Sequence, residues 1–347
     1  MNEMENGCRC VSEQEADTIK KIWLDKTIPI KPDMLEKDLL VADAIRAVCG
    51  VGRDRGAQII FAGGTCLSQA HQVIQRMSED ADFRIVLPPD AISQGQRRKF
   101  LSSLKEELLN TMAETGFPID GELKARNGNA YMMGNFAYAA RFPVSDALRP
   151  NIKLEITAFD PISQVEYLPL RTIVDKVLNR PADPDAPRVP VVSIQDTLAD
   201  KAVGYLRRTA ADRAGAGRGA YDDRLVRHIY DTHCILQARG DLSGIVGPLF
   251  IDTVERDRET YGNQFPAFQE DPFSVLREER ERVFDSDTKD RYEDFCRSMI
   301  YGEIPGFQDA ARSFYDFTGD LLAQEPTRWL EPEEGETAGD SGNRPAP

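Results

Sequence analysis

Apolar positions divide the chain into a mixed first half and a mostly helical second half. Spacing near 3.6 residues predicts helices over about residues 13–48, interrupted by a proline pair, and over about 94–115. The same helical spacing continues from about residue 193 to about 322. This order predicts an α+β fold in which a helical half follows an α/β half.

Short apolar or alternating runs between these helices predict strands. The run Gln58–Ala62 is rich in β-forming residues, ends at a glycine pair and is followed by helical spacing. Residues 78–87 alternate at their start, and residues 151–157 alternate throughout. Two further strand-like segments lie near 130–133 and 137–142. Together these runs predict a short mixed sheet flanked by helices.

Prolines mark the boundary between the two halves. Residues 179–190 contain four prolines, which predicts a linker or a long loop. We therefore expect a flexible N-terminus over 1–12, an α/β domain over 13–185, and a helical domain over 190–328 that closes a cleft. Residues 329–347 are acidic and almost free of apolar side chains, which predicts a disordered tail.

Composition narrows the classes of function. The 347 residues include 43 Lys and Arg and 58 Asp and Glu, a net charge of −15. That charge disfavours a general polyanion binder, because the mean field repels phosphates, but it leaves a local basic patch open. No apolar run approaches the roughly 20 residues of a membrane helix, and the polar N-terminus lacks a signal-peptide core, so we expect a cytoplasmic protein. Six scattered cysteines and three histidines favour neither a disulfide framework nor a His-rich metal site.

Two carboxylates, Asp80 and Asp82, lie two positions apart on the strand predicted over 78–87. Side chains at i and i+2 leave a strand from the same face, roughly 7 Å apart, and like charges there repel each other unless a cation lies between them. Oxygen donors of this kind suit Mg²⁺ or Mn²⁺. A solvated pair on an exposed strand face is the alternative interpretation.

Glu155 adds a third carboxylate if its strand lies beside the strand of the aspartate pair. In residues 152–157 the apolar side chains take one face, and Lys153 and Glu155 take the other. Three carboxylates on adjacent strands are the minimum for two-metal phosphoryl or nucleotidyl transfer. A strand face of mixed charge is the alternative, and Asp160 or Asp196 could complete the metal site in place of Glu155.

Gly63 and Gly64 lie between a predicted strand and a predicted helix. Glycines at such a turn let backbone N–H groups approach a phosphate closely, although an ordinary turn also favours glycine. The order along the chain favours a phosphate site, because the turn, one helix and then the aspartate pair can meet at one sheet edge. Ser78, just before that pair, could bond a phosphate or cap the turn.

The glycine turn and the aspartate pair belong to a longer pattern, FAGGTCLSQA over 61–70 and RMSEDADF over 76–83. It resembles the motif GG[ST]-x-L-S-K-A followed by R-x-S-E-D-[IL]-D-[LF] of AbiEii/AbiGii-type nucleotidyltransferase toxins. These are the toxin components of type IV toxin–antitoxin and abortive-infection systems, and they are related to MenT-type tRNA nucleotidyltransferases. Gln69 and Ala81 depart from the motif without removing a metal ligand. Similarities at 34–39, 197–201, 227–231 and 299–307 extend the resemblance to about residues 30–325, the C-terminal one being the weaker.

The resemblance implies an NTP substrate, Mg²⁺ or Mn²⁺ as cofactor, and a set of site residues. The implied residues are Gly63, Gly64, Thr65, Ser78 and Lys201 for the triphosphate, Asp80, Asp82 and Glu155 for the metal, and Asp231 beside Lys201 in the helical half. Lys201 would neutralise the triphosphate, and Asp231 would orient Lys201, contact the nucleotide or act as a base. A solvated helix lysine and a helix-surface charge are the alternatives for these two residues.

The resemblance also implies a function, the transfer of a nucleoside monophosphate to a tRNA 3′ end, with growth arrest that a cognate antitoxin relieves. An arginine-rich segment could guide this acceptor to the cleft through Arg207, Arg208, Arg213 and Arg218. A flexible loop flanked by helix arginines is the alternative. Two other functions stay open: transfer to a small-molecule or protein hydroxyl, which the acidic charge favours, and non-catalytic binding of a nucleotide or partner.

Overall fold

The computed structural model describes residues 3–88, 93–145, 148–159, 164–181, 183–217, 219–326 and 329. The strands are β1 (Glu3–Glu5), β2 (Cys8–Cys10), β3 (Gln58–Ala62), β4 (Asp80–Val86), β5 (Lys124–Arg126), β6 (Tyr131–Phe136), β7 (Ile152–Thr157), β8 (Glu166–Pro169) and β9 (Arg188–Val191). The helices are α1 (Glu13–Leu24), α2 (Pro32–Val48), α3 (Gly63–Gln69), α4 (Gln94–Glu114), α5 (Ile173–Val177), α6 (Ile194–Arg213), α7 (Arg227–Arg239), α8 (Ser243–Tyr261), α9 (Pro266–Glu270), α10 (Pro272–Arg280), α11 (Ser286–Met299) and α12 (Phe307–Leu322).

Seven strands form one mixed sheet in the order β5-β6-β7-β4-β3-β9-β8, which confirms the α+β expectation. Strand β4 is antiparallel to β3 and parallel to β7, and β6 is antiparallel to β7. The register of β4 on β7 places Asp82 opposite Glu155 and Asp80 opposite Lys153. The two strands that carry the predicted carboxylates are therefore neighbours.

Alternation along β4 and β7 gives the sheet one apolar face and one polar face. The apolar side chains of both strands are buried under α2 and α4: Ala81, Phe83, Ile85, Ile152, Leu154 and Ile156. Burying a large apolar side chain contributes about 1.5–3 kcal/mol, and a slip of one residue would move this whole set to the other face. The hydrophobic pattern therefore fixes the polar face, and with it the direction of the carboxylates.

The C-terminal helices pack around α6, which contacts α8 and α10, while α12 packs on α7. Large aromatic side chains fill this second core, among them Tyr230, Phe250 and Phe314. Residues of α1 and of the first turn of α2 also belong to it, so the N-terminal helices contact both halves of the molecule.

A short backbone joint connects the two halves next to β4. The Met77 N–H donates to the Met299 carbonyl at 2.8 Å, and the Tyr301 N–H donates to the Gln75 carbonyl at 3.0 Å. Arg76, between these two bonds, forms an antiparallel bridge with Ile300. Because residue 76 lies just before β4, the joint holds the helical half against the sheet edge that carries the carboxylates.

Two segments differ from their predictions. Residues 137–142 are irregular and not a strand, because their N–H groups bond to scattered partners such as the Pro118 carbonyl and the Glu36 carboxylate. Conversely, the proline-rich segment 179–190 runs into β9, which pairs in parallel with β3. The predicted linker therefore ends inside the central sheet.

The N-terminal segment, predicted to be flexible, contains the β1–β2 hairpin. Arg9 of this hairpin is 4% exposed, and its guanidinium donates to the Asp43 carboxylate at 2.7 and 3.0 Å. Such polar anchoring produces no hydrophobic pattern in the sequence. Residues 1–2, and the predicted tail over 329–347 apart from Trp329, lie outside the described residues. In the described part of the chain, no helix is both long and apolar enough to cross a membrane.

Candidate active site

A cleft of about 1250 Å³ separates the polar face of the sheet from the helical half. Seven of the predicted site residues line it: Gly63, Gly64, Ser78, Asp80, Asp82, Glu155 and Lys201. Thr65 and Asp231, at 1% and 0% exposure, lie behind its wall. The sheet, the β3–α3 turn and α6 therefore bring together groups that are far apart in sequence.

The glycines of the β3–α3 turn are required by close packing. Gly63 has a φ of 76°, in the left-handed region, and a Cβ there would overlap the Asp82 carboxylate. A Cβ at Gly64 would overlap the Arg76 guanidinium and lie 3.2 Å from the Ser78 hydroxyl. The turn backbone thus lies directly against three polar side chains of the cleft.

Thr65 positions Ser78. Its buried hydroxyl lies 2.8 Å from the Ser78 hydroxyl and also bonds to the Asp80 backbone carbonyl. A hydroxyl has one proton, so a Thr65 that donates to the carbonyl accepts from Ser78. Ser78 itself is half-buried and lines the cleft, which makes it available to a ligand where Thr65 is not.

The first ionic group of the cleft, here called the open cluster, consists of Asp80, Asp82, Glu155, Arg149 and Lys153. The Lys153 Nζ lies 3.1 Å from the Glu155 carboxylate and 4.0 Å from that of Asp80, which also bonds to Arg149. In the described part of the chain no side chain pairs with Asp82. Burial, and then the negative charges of Glu155 and Asp80, raise the pKa of Asp82 to about 7.

The donor chemistry of the open cluster suits a divalent cation, because three carboxylates on one sheet face supply the hard oxygens that Mg²⁺ prefers. As they stand, however, no three His, Cys, Asp or Glu side chains among the described residues are close enough to hold one ion. The reason is visible in the contacts, since Lys153 and Arg149 are the cations that pair with Glu155 and Asp80. A bound metal would take over these carboxylates from the two basic side chains.

The alternatives for the third carboxylate differ in position. Asp196 is 2% exposed in the first turn of α6, where it caps the helix with Ser193 and lies 3.9 Å from Arg84. Asp160 lies outside the described residues. Glu155 is the acidic residue that the β4–β7 register places beside Asp82.

The second ionic group, here called the closed cluster, consists of Arg76, Lys201 and Asp231. Arg76 donates two hydrogen bonds to the Asp231 carboxylate, at 2.7 and 2.9 Å, and Lys201 donates a third at 2.6 Å. Burial opposes the charge of Asp231, but Arg76 and Lys201 outweigh it and hold the pKa of this carboxyl well below its usual range. Two cations share one anion, so the closed cluster presents a net positive charge beside the glycine turn.

The charge balance of the closed cluster favours one of the roles foreseen for Asp231. A carboxylate whose pKa is held so low, and whose oxygens accept three short hydrogen bonds, is a poor proton acceptor. Asp231 therefore fits the orienting role toward Lys201. Burial lowers the pKa of Lys201, but the ammonium stays paired with Asp231.

Most of the arginines predicted as a basic patch are paired with carboxylates. Arg207 donates to Asp257 at 2.9 Å, Arg208 to Asp222 at 3.2 Å, and Arg213 to Glu279 at 3.1 Å. Arg218 lies outside the described residues. The helical wall of the cleft is thus closer to electrical neutrality than the arginine count in the sequence indicates.

Sequence reasoning assigned no role to Arg76, Arg149 or Lys153. Lys153 carried a usable signal, because it alternates with Glu155 on the polar face of β7. Arg76 carried a weaker one, its place within the motif that precedes β4. Arg149 lies in a loop and had none.

Comparisons with known proteins agree with this geometry. A sequence model described as nucleotidyl transferase AbiEii toxin, type IV toxin–antitoxin system, matches residues 51–314, more than half of the chain. Among solved structures, the fold is similar to MenT4, a nucleotidyltransferase toxin from Mycobacterium tuberculosis H37Rv. That similarity has a TM-score of 0.52 and 13% identity, and it covers 90% of this chain and 92% of MenT4. No curated protein matches the sequence.

Proposed function

The chain belongs to the AbiEii nucleotidyltransferase toxins of type IV toxin–antitoxin systems, and from that premise we propose that it transfers a nucleoside monophosphate from an NTP to an acceptor hydroxyl. One observation supports this reaction above the others. The glycine turn, Ser78, three carboxylates and a paired lysine all meet at one cleft, although they come from four separate stretches of sequence.

The triphosphate of the NTP binds in the cleft, beside the β3–α3 turn and the closed cluster. Gly63 and Gly64 allow backbone atoms to approach the phosphates, and Ser78 turns its hydroxyl proton from Thr65 to a phosphate oxygen. Arg76 and Lys201 supply the opposing charge, of which Asp231 neutralises only half. Asp231 keeps the Lys201 ammonium at a fixed position, so little reorganisation is needed when the nucleotide binds.

Asp80, Asp82 and Glu155 would hold Mg²⁺ or Mn²⁺, which when bound stabilises the charge that develops on the entering and leaving oxygens. The acceptor oxygen forms a bond to the α-phosphorus, the bond from this phosphorus to the bridging oxygen breaks, and pyrophosphate leaves. Glu155, half-exposed on the cleft face, accepts the proton of the attacking hydroxyl. Asp231 orients Lys201 and takes no proton.

We propose the tRNA 3′ end as the acceptor, and the cytoplasm as the place of action. Modification of tRNA would arrest growth, in keeping with a toxin, and a cognate antitoxin would relieve that arrest. A 1250 Å³ cleft has room for a nucleotide together with the end of an acceptor strand.

A second acceptor, a small-molecule or protein hydroxyl, has one observation in its favour. The pairing of Arg207, Arg208 and Arg213 with carboxylates removes most of the charge that an RNA would meet on the helical wall. The same chemistry at the carboxylates would serve either acceptor.

The test is a transfer assay with Mg²⁺, total tRNA and each α-labelled NTP in turn. Label on tRNA from the wild type, and none from Asp82→Asn, supports the proposed reaction and acceptor. Transfer to tRNA by Asp82→Asn at the wild-type rate contradicts the proposed site. Label on protein and none on RNA favours the second acceptor.

A further inference from the structure

A group of cations without acidic partners lies at the free edge of the sheet. Lys124 and Arg126 of β5 are exposed, as are Arg97 and Arg98 in the first turns of α4. None of the four pairs with a carboxylate among the described residues, and none has an interaction with an acidic group left unstated. In a chain with a net charge of −15, four such cations at one place are a local exception.

These cations are close together because the β5–β6 turn packs on α4. Asn129 in the turn donates to the Ser102 hydroxyl of α4 at 2.9 Å, and a Cβ at Gly128 would lie 3.7 Å from the Arg98 side chain. Arg97 reaches the Ala158 carbonyl, at the end of β7, with a 2.8 Å bond. The four basic residues, here called the cationic edge, therefore surround one turn.

Strand register directs the cationic edge toward the carboxylates. Lys124 pairs with Met133, which pairs with Glu155, which pairs with Asp82. Residues paired across a sheet leave it on the same side, so Lys124 and Asp82 lie on one face, three strand spacings or about 14 Å apart. Arg126 takes the next position along β5 on that face, and it lines the cleft.

Edge protection alone does not account for this arrangement. A lysine on an edge strand prevents pairing with other chains, and Lys124 can do that. Arg97 and Arg98 belong to a helix and have no such task, yet they extend the same positive charge around the turn. By contrast, three of the arginines in segment 207–218 have an acidic partner each.

We propose that the cationic edge binds the sugar–phosphate backbone of the acceptor RNA strand whose 3′ end lies at Asp82 and Glu155. This inference rests on the proposed function, and it names the surface by which the RNA enters the cleft. Lys124, about 14 Å from Asp82 across the sheet, and the cations around it neutralise the phosphates that precede the reacting hydroxyl and release their counterions. The strand then crosses β5, β6 and β7 along the polar face of the sheet.

The experiment compares the double variant Lys124→Glu/Arg126→Glu with the charge-matched control Lys21→Glu/Lys31→Glu. Both variants replace two cations with two anions, so they change the net charge equally. Lys21 and Lys31 are exposed and lie outside the cleft. Binding of total tRNA is measured without NTP, by fluorescence anisotropy over a range of salt concentrations. Transfer kinetics with labelled NTP and varied tRNA are measured on the same proteins.

We expect the cationic-edge variant to bind tRNA at least about tenfold more weakly than the control, with a salt dependence shallower by one to two ions. The KM for tRNA should rise while kcat and the KM for NTP stay near wild type. Wild-type tRNA affinity in the cationic-edge variant, with transfer intact, overturns this surface and leaves the proposed function standing. If the wild type neither binds nor labels tRNA, the acceptor assignment fails and the surface assignment fails with it.

Discussion

The open and closed clusters use the same kinds of charged residue in opposite ways. In the closed cluster Asp231 is fully buried and accepts three bonds of 2.6–2.9 Å from Arg76 and Lys201. In the open cluster the side chains of Arg149, Lys153 and Glu155 are 47%, 25% and 34% exposed, and Asp82 pairs with no described side chain. One cluster has a single arrangement, and the other can exchange partners.

The difference follows from desolvation. A buried charge that loses its partner is not solvated by water, so breaking the closed cluster costs much free energy. A partly exposed ion pair exchanges its partner for water at little cost, which lets Lys153 and Arg149 release the carboxylates to a metal or substrate. The closed cluster is therefore expected to set geometry, and the open cluster to carry the chemistry.

Asp82→Asn should abolish nearly all transfer activity. The amide keeps the shape of the side chain but cannot supply an anionic ligand, so transfer should fall by about 10³-fold or more. The measurement is labelled-NMP incorporation, with Asp316→Asn, an exposed aspartate in α12, as the control. Because Asp82 has no partner to lose, urea unfolding should show no destabilisation. A stable fold with wild-type transfer would remove Asp82 from the site.

Asp231→Asn tests the closed cluster. It leaves Arg76 and Lys201 buried with no anion, so the free energy of unfolding should fall by about 3–5 kcal/mol, together with the activity. Urea denaturation measures the change, and Asp316→Asn, whose ion pair with Arg312 is exposed, should lose less than about 1 kcal/mol. Equal losses in the two variants would mean that burial does not make the ion pairs of the closed cluster more costly to break than an exposed pair.

If Asp231→Asn does not fold, Arg76→Lys tests the same cluster with a milder change. It keeps the charge and loses the two-pronged contact, so it should be folded, less stable and slower in transfer.

Lys153→Met tests whether the open cluster exchanges partners. Removing the ammonium beside Glu155 and Asp80 should tighten Mn²⁺ binding about tenfold, because the cation no longer competes with a local positive charge. Calorimetric titration of the free protein measures it, with Lys21→Met as the control. Unchanged or weaker Mn²⁺ binding would show that Lys153 does not compete for the carboxylates.

A pH dependence of stability is also expected in metal-free buffer. Burial and its acidic neighbours raise the pKa of Asp82 from 3.8 to about 7, so the folded protein holds that proton more tightly than the unfolded chain. This contribution to stability is present below about pH 4 and is lost as the pH rises toward 7. Asp82→Asn should lack the loss, and its free energy of unfolding should match or exceed that of wild type at pH 8. Parallel pH profiles for the two proteins would contradict the assignment.

The strands that carry the site could be predicted because alternation is a local signal. The run Gln58–Ala62 matches the bounds of β3 to the residue, and the alternation of residues 152–157 indicates the polar face of β7 directly. The sequence could not predict that β4 and β7 are neighbours, because parallel pairing depends on chain topology. In the structure the two strands do pair, with Asp82 opposite Glu155.

Partners of the charged residues could not be predicted, because they are set by tertiary packing. Arg76 and Asp231 are 155 positions apart, and no periodicity links them. The positive charge of the arginine-rich segment is smaller in the fold than in the sequence for the same reason, because Asp257 and Glu279, which pair with its arginines, lie on other helices. The cationic edge was missed because its four residues come from two segments that only the β5–β6 turn brings together.

Transfer of the α-phosphoryl group together with its nucleoside is tested most directly by comparing two labelled forms of one NTP. Purified protein, Mg²⁺ and tRNA are incubated with the NTP carrying label either on the α- or on the γ-phosphorus. We expect α-label on tRNA and γ-label only in pyrophosphate, and we expect neither product from Asp82→Asn. Label from the γ-position on the acceptor would instead show phosphoryl transfer and contradict nucleotidyl transfer.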